Sequence, residues 1–167
     1  MRAAVAIMTM LVAFAASEAK AQDKSDHLVL GQLFCDLRKD NAEVPVRYLL
    51  TEELLRQIDA AEAASQKFET DNPGDKPPLG DGIPFQSFPD VADQCRPANY
   101  TASGGNAQID IQYSFTATPD ANFTDRLVVK TESGRPLIDD VLYATDDHRL
   151  GLRKVLADIV AGKAAGT

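Results

Sequence analysis

The stretch that most constrains the fold is Asn122–Tyr143, because it has the pattern of a β-hairpin. Two strand-like runs, Arg126–Thr131 and Arg135–Tyr143, flank the pair Ser133-Gly134. A two-residue connection that contains glycine is typical of a tight hairpin turn. An isolated hairpin is marginally stable in water, so the rest of the chain must supply further strands or helices to cover it.

The two runs of this hairpin differ in their face patterns. The first run alternates between two faces, whereas the second is apolar on both faces, which predicts a strand that is covered from both sides. On regular alternation, Leu127, Val129 and Thr131 share one face of the first run, and Leu137, Val141 and Tyr143 lie opposite Ile138 and Leu142 in the second.

Asp139 and Asp140 place two charges in the middle of the second run. Regular alternation points one acid to each face, and an enclosed carboxylate needs a partner. In an apolar pocket its pKa would rise, and it could act as a general base while Tyr143 or Tyr113 stabilises an oxyanion. The alternative is structural: one acid faces water, and the other pairs with Arg126 or caps a loop backbone.

The first 21 residues have the organisation of a secretory signal peptide. Arg2 supplies the positive start, Ala3–Ala16 an apolar run, and Ala19-Lys20-Ala21 a small-x-small cleavage site. The apolar run is shorter than the ~20 residues that a bilayer span requires. We therefore expect a periplasmic or secreted protein without a membrane span in its mature chain, forming a single domain over residues 22–167.

Charge and cysteine content narrow the class of partner. The formal net charge is −8, which argues against nucleic acid as a partner and is compatible with a basic protein partner. In an oxidising compartment Cys35 and Cys95 are expected to form a disulfide, the alternative being two unpaired thiols.

We expect neither a cofactor nor a metal. The sequence contains no glycine-rich phosphate loop and no metalloprotease motif. Asp146, Asp147 and His148 form the most suggestive metal-binding cluster, but together with Thr145 they are better explained as the cap of a last helix.

Three amphipathic stretches predict helices, two in the N-terminal part of the chain and one at the C-terminal end. Thr51 is a suitable cap for the second, and Glu52 and Glu53 suit its first turn. The apolar stripes are Leu30, Leu33, Phe34 and Leu37 in the first helix, Leu54, Ile58, Ala61 and Phe68 in the second, and Leu152, Val155, Leu156, Ile159 and Val160 in the third.

Residues 71–93 are rich in proline and glycine, which excludes a helix or a central strand. Loops of this length are often lids or binding loops, or are disordered. The middle of the loop, Ile83–Phe88, is too apolar for a solvated linker, so Phe85 or Phe88 is expected to pack against the body. The alternative is that the loop has no function of its own and closes one end of the core.

Two further strands are predicted at Cys95–Thr101 and Ala107–Thr116, of which the second alternates clearly. Helices, then consecutive antiparallel strands, then a helix predict an α+β fold. We expect a short antiparallel sheet of three to four strands, packed with two N-terminal helices and one C-terminal helix.

The strand Pro136-Leu-Ile-Asp-Asp-Val-Leu-Tyr143 and the loop Asp81–Asp90 carry a family resemblance. With the order of elements, they resemble the NTF2-like (cystatin-like) cone proteins, and more narrowly a bacterial exported family of domains of unknown function. The resemblance spans roughly Leu28–Val160, but Ile83 stands where a second acid is common and Pro89 where a glutamine is common. It implies a curved sheet wrapped on a long helix, with a concave pocket, and it implies no activity.

These observations favour an exported, non-catalytic binding protein that holds a small ligand in a concave pocket or binds a protein partner. One alternative is a small pocket enzyme with Asp139 or Asp140 as general base, and another is an immunity or inhibitor protein with an acidic face. The candidate ligand-binding residues are Asp139, Asp140, Tyr143, Tyr113, Arg126, Phe85 and Asp90.

Overall fold

The computed structural model describes residues 22–39, 43–103, 106–145 and 148–163. Over these residues the chain is α+β, as predicted, with four helices and four antiparallel strands. The helices are α1 (22–39), α2 (Glu43–Arg47), α3 (Glu52–Asp71) and α4 (Leu152–Val160), and the strands are β1 (Gln94–Ser103), β2 (Asn106–Ser114), β3 (Phe123–Glu132) and β4 (Arg135–Leu142).

The strands form one curved, unclosed sheet in the order β1-β2-β3-β4. The predicted hairpin is confirmed, since Glu132 pairs with Arg135 across Ser133-Gly134. Both turn residues have positive φ, 51° at Ser133 and 77° at Gly134. Two consecutive positive φ values define the turn type whose twist matches that of paired strands.

The outer edge of β4 is paired to two short segments from other parts of the chain. The Thr51 amide donates to the Ile138 carbonyl at 2.9 Å, and the Ile138 amide donates to the Leu49 carbonyl at 2.8 Å. Further along, the Tyr143 amide donates to the Leu150 carbonyl at 2.9 Å. Because these bonds satisfy β4 backbone groups, they protect an edge that could otherwise pair with another chain.

A β-bulge overturns the predicted faces of β4. Val128 of β3 pairs with Asp140 and Val129 pairs with Ile138, so Asp139 is an extra residue on β4. An extra residue shifts the side-chain alternation by one position. The core face therefore contains Ile138, Val141 and Tyr143, whereas Leu137, predicted to share the face of Val141 and Tyr143, is only partly buried.

Helix α1 lies close against β1 and β2. A Cβ atom at Gly31 would lie 3.0 Å from the Pro97 Cβ and 3.3 Å from the Ile109 Cγ2, so a side chain at this position would force the helix away from the sheet. The predicted disulfide between Cys35 and Cys95 is present, with a Cα–Cα distance of 5.3 Å, and joins α1 to β1.

The helices differ from the prediction in four places. Helix α2 was not predicted, because Pro45 suggested an interruption, although proline is tolerated in a first helical turn. Leu33 of the predicted α1 stripe is 47% exposed, and Val160 of the predicted α4 stripe is 52% exposed. Helix α4 begins at Leu152 with Gly151 as its N-cap, so the predicted cap around Thr145 is wrong; Asp146 and Asp147 lie outside the described residues.

Helix α3 follows the prediction closely. The Thr51 hydroxyl accepts a hydrogen bond from the Leu54 amide at 3.2 Å, which is the predicted cap. Leu54, Ile58 and Ala61 are fully buried, and the helix ends at Asp71. Between α3 and β1, residues 72–93 form neither helix nor strand, as their proline and glycine content predicted.

Candidate functional site

Asp139 is a buried carboxylate surrounded by donors. Its Oδ1 lies 2.5 Å from Arg153 Nη2 and accepts the Thr51 hydroxyl at 3.0 Å, and its Oδ2 lies 2.8 Å from Lys130 Nζ. Burial alone raises the pKa of Asp139, but the hydrogen bonds from Lys130, Thr51 and Arg153 outweigh it and hold that pKa below its ordinary value. A carboxylate so stabilised in its charged form is a weak base.

Asp140 has a different role in the structure. Its Oδ1 accepts the backbone amides of Val141 at 2.8 Å and Arg153 at 3.0 Å. Arg153 lies in the first turn of α4, whose N-cap residue, Gly151, has no capping side chain. Asp140 therefore caps α4 from the neighbouring strand. Burial raises the pKa of Asp140, and the two amide hydrogen bonds oppose this.

The other predicted site residues fall into two groups. Tyr143, Phe85 and Tyr113 lie on the core side of the sheet, where the Tyr143 hydroxyl donates to the Pro84 carbonyl at 2.6 Å. Arg126 lies on the opposite face and pairs with Asp110 at 2.8 Å. The structure therefore does not bring Arg126 together with the tyrosines.

The proline-rich loop is attached to the core through its centre. Phe85 is fully buried, which confirms that one of the two loop phenylalanines packs against the body. Phe88 is 46% exposed but makes an edge-on ring contact with Phe123 at 5.0 Å. Asp90 is exposed, and its carbonyl accepts the Gln86 amide side chain at 2.9 Å.

Asp125 is a buried acid that the sequence analysis did not identify. It is fully buried, and it accepts the Ser87 hydroxyl and the backbone amides of Ser87 and Ala144, both amides at 2.9 Å. Burial raises its pKa, and these hydrogen bonds partly oppose the shift. The alternation of Phe123, Asp125 and Leu127 on one face was a signal that could have revealed it, but the predicted strand began at Arg126.

A cavity of about 340 Å³ lies between the proline-rich loop, the end of α1 and α4. Phe85 and Tyr143 line it, whereas Asp139, Asp140, Tyr113, Arg126 and Asp90 do not. A depression of about 520 Å³ adjoins it and shares Glu43 and Ile83, but its other walls include several charged side chains of α3 and the loop. The smaller cavity has mixed walls, in which Ile83, Phe85, Val155 and Ile159 lie beside polar groups that include Arg38, Glu43, Asp81 and Gln86.

Arg38, near the end of α1, lines this cavity and was not singled out in the sequence. Its guanidinium carbon lies 5.7 Å from the centre of the Phe85 ring. The Nε and Nη1 atoms are buried, and within residues 22–39, 43–103, 106–145 and 148–163 they have no hydrogen-bond partner. The residues around Arg38 in the sequence do not indicate this position, because its contact with Phe85 depends on a loop far along the chain.

Comparisons with known proteins identify no relative: no family model, no curated protein and no solved structure matches this chain. Among the residues that the structure describes, no helix is both long enough and apolar enough to cross a membrane. The same described residues contain no group of three or more histidine, cysteine, aspartate or glutamate side chains placed to hold a metal ion.

Proposed function

We propose that this protein is an exported, non-catalytic binding protein that holds a small organic molecule in the cavity beneath the proline-rich loop. The observation that carries the proposal is the cavity itself, because about 340 Å³ lies within the size range of small-molecule sites. Its apolar lining includes Phe85, Ile83 and Ile159, and its charged lining consists of Glu43, Asp81 and Arg38, of which Arg38 is a donor with unpaired hydrogen atoms. Small-molecule sites combine apolar walls with polar groups that orient the ligand.

The proposal also includes an NTF2-like fold and a periplasmic or secreted location. A curved antiparallel sheet packed with helices supports the NTF2-like cone and the resemblance to an exported bacterial family. The disulfide between Cys35 and Cys95 supports a periplasmic or secreted location, since disulfides persist in oxidising compartments.

The pocket-enzyme alternative has less support than ligand binding. It requires a carboxylate with a raised pKa that faces a pocket. The pKa of Asp139 is lowered, and Asp140, whose pKa is raised, is engaged with two backbone amides. Neither acid lines the cavity.

Binding of a protein partner is a second candidate, and one observation favours it. Val29, Leu33 and Tyr48 are exposed apolar side chains that line a common depression beside α1. Exposed apolar groups that cluster in this way are typical of interaction surfaces.

Native mass spectrometry of the protein purified without denaturation from a periplasmic extract tests the two candidates together. We expect a bound small-molecule mass on the wild type that is missing from Leu79→Trp, because Leu79 lines the cavity and a larger side chain would fill it. Ala63→Trp, on an exposed position of α3, is the matched control and should retain the mass. A co-purifying protein lost on Leu33→Ser would favour the second candidate. A wild-type protein that carries no bound mass, as Leu79→Trp is expected to carry none, would refute ligand binding.

A further inference from the structure

The position of Arg38 implies more than a general binding role. A charged group removed from water without a partner is costly, and such groups are normally paired or hydrogen-bonded. Two guanidinium nitrogens of Arg38 are buried and have no acceptor among the described residues. The side chain lines the cavity, so an acceptor that enters the cavity could complete these bonds.

The neighbours of Arg38 fix its position but leave its Nε and Nη1 atoms without an acceptor among the described residues. The Phe85 ring lies beneath the guanidinium at 5.7 Å, within the range of a cation–π contact. One helical turn earlier, the disulfide of Cys35 fixes the end of α1 to β1. Burial lowers the pKa of Arg38, while Tyr113 and Glu43 act in the opposite direction. Arginine remains charged at neutral pH even when its pKa is lowered.

The acids that face the cavity already have partners. Glu43 Oε1 accepts the Ile83 amide at 3.0 Å, and Asp81 pairs with Lys76 at 2.5 Å. Among the charged groups of the described residues that line the cavity, Arg38 is the hydrogen-bond donor with nitrogens that lack an acceptor. The chain as a whole carries a net charge of −8, so a general attraction for anions does not explain a partly buried cation at this place.

We propose, on the basis of the proposed function above, that the ligand is an organic carboxylate with an apolar body, and that Arg38 binds its carboxylate group. The planar guanidinium matches a carboxylate in geometry and charge. Among the described residues that line the cavity, Arg38 is the sole cation, which favours a monoanion over a multiply charged phosphate ester. The apolar body would lie against Ile83, Phe85, Leu79, Val155 and Ile159.

Isothermal titration calorimetry with matched pairs of compounds tests this inference. The probes are a panel of aliphatic and arylalkyl carboxylates, each paired with its primary amide, and inorganic phosphate. We expect at least one carboxylate to bind the wild type about 10–100-fold more tightly than its amide, because a hydrogen bond to a charged group contributes roughly 1.5–3 kcal/mol. Arg38→Met should remove this difference, and Arg38→Lys should retain only part of it because lysine lacks the planar fork.

The controls separate failure of this inference from failure of ligand binding. Arg56→Met removes an exposed arginine that pairs with Glu52 and Glu53, so it should leave carboxylate affinity unchanged. Circular dichroism must show that Arg38→Met is folded; if it is not, Arg38→Lys carries the test. Amides that bind as tightly as their acids, or phosphate that binds more tightly, would overturn the carboxylate assignment while leaving a ligand site. Absence of binding by every probe, together with a bare native mass, would overturn both proposals.

Discussion

The capping role of Asp140 gives the sharpest test of the fold. Helix α4 begins at Leu152, and its N-cap residue, Gly151, has no side chain to accept its first amides. Asp140 on β4 supplies that acceptor, binding the Arg153 amide at 3.0 Å and the Val141 amide at 2.8 Å. We predict that Asp140→Ala lowers the free energy of unfolding because both amides lose their acceptor.

The size of this loss can be estimated from its parts. Removing an N-cap acceptor costs about 0.5–2 kcal/mol, and a buried donor left without an acceptor costs about 1–3 kcal/mol. Removing a poorly solvated charge offsets part of the loss, since burial raises the pKa of Asp140. We expect Asp140→Ala to lower the free energy of unfolding by about 1–3 kcal/mol. Asp140→Asn should cost less, because its amide oxygen still accepts and asparagine caps helices as well as aspartate does.

A substitution at Gly151 distinguishes loss of the α4 cap from a local effect of removing the Asp140 side chain. A Cβ atom at Gly151 would lie 3.0 Å from both Asp140 Oδ2 and Leu142 Cδ2, so Gly151→Ser should destabilise the wild type. In the Asp140→Ala background the carboxylate is absent and the serine hydroxyl can cap α4. The same substitution should then recover about 0.5–2 kcal/mol.

Equilibrium urea unfolding of the disulfide-intact protein measures all four members of this cycle. The expected result is an opposite sign for Gly151→Ser in the two backgrounds, with similar m-values. An equal effect of Gly151→Ser in both backgrounds would refute the cap. So would an Asp140→Asn variant as unstable as Asp140→Ala.

Four further predictions concern charge, cross-linking and the loop. Because the pKa of Asp139 is lowered in the folded protein, its stabilising contribution is present above about pH 4 and is lost as the pH falls through the folded-state pKa. The free energy of unfolding of Asp139→Asn, measured with urea, should therefore approach that of the wild type in acid. The raised pKa of Asp140 has the opposite sign, so Asp140→Asn should gain on the wild type as the pH rises from about 4; parallel pH trends would contradict both assignments. Removing the disulfide with Cys35→Ala and Cys95→Ala together should lower the free energy of unfolding, measured with urea, by up to about 4 kcal/mol. Adding reductant to the wild type should lower its free energy of unfolding by a similar amount. Asp125→Asn should speed limited proteolysis within residues 72–93, because an amide cannot accept all the hydrogen bonds that hold Ser87; unchanged cleavage would show that Asp125 does not hold the loop.

The sequence predicted the elements that depend on neighbouring residues. The turn at Ser133-Gly134 needs positive φ, which glycine adopts readily. The Thr51 cap involves an amide three residues away. Proline content excluded regular structure between α3 and β1, and with two cysteines in the chain one disulfide pairing was available. Each of these inferences rests on short-range geometry or simple counting.

The candidate site was predicted in part. Tyr143 and Phe85 line the cavity, and both were singled out by their place in an apolar strand and an apolar loop segment. Asp139 and Asp140 were identified as unusual, but their function as an ion-pair partner and a helix cap depends on Arg153, which comes from the following helix. Whether an acid is free or engaged depends on the groups that packing brings to it.

Tertiary structure alone decided the remaining features, because each depends on contacts between distant parts of the chain. The bulge at Asp139 moved Ile138 to the core face, and no local pattern reveals an extra residue within a strand. Asp125 holds Ser87, which is 38 residues away. Arg38 meets Phe85 across the sequence from α1 to the loop. The amino-acid sequence by itself indicated most of the segments that become helix, strand and loop, and the three-dimensional packing of those segments decided which charged groups are paired with which.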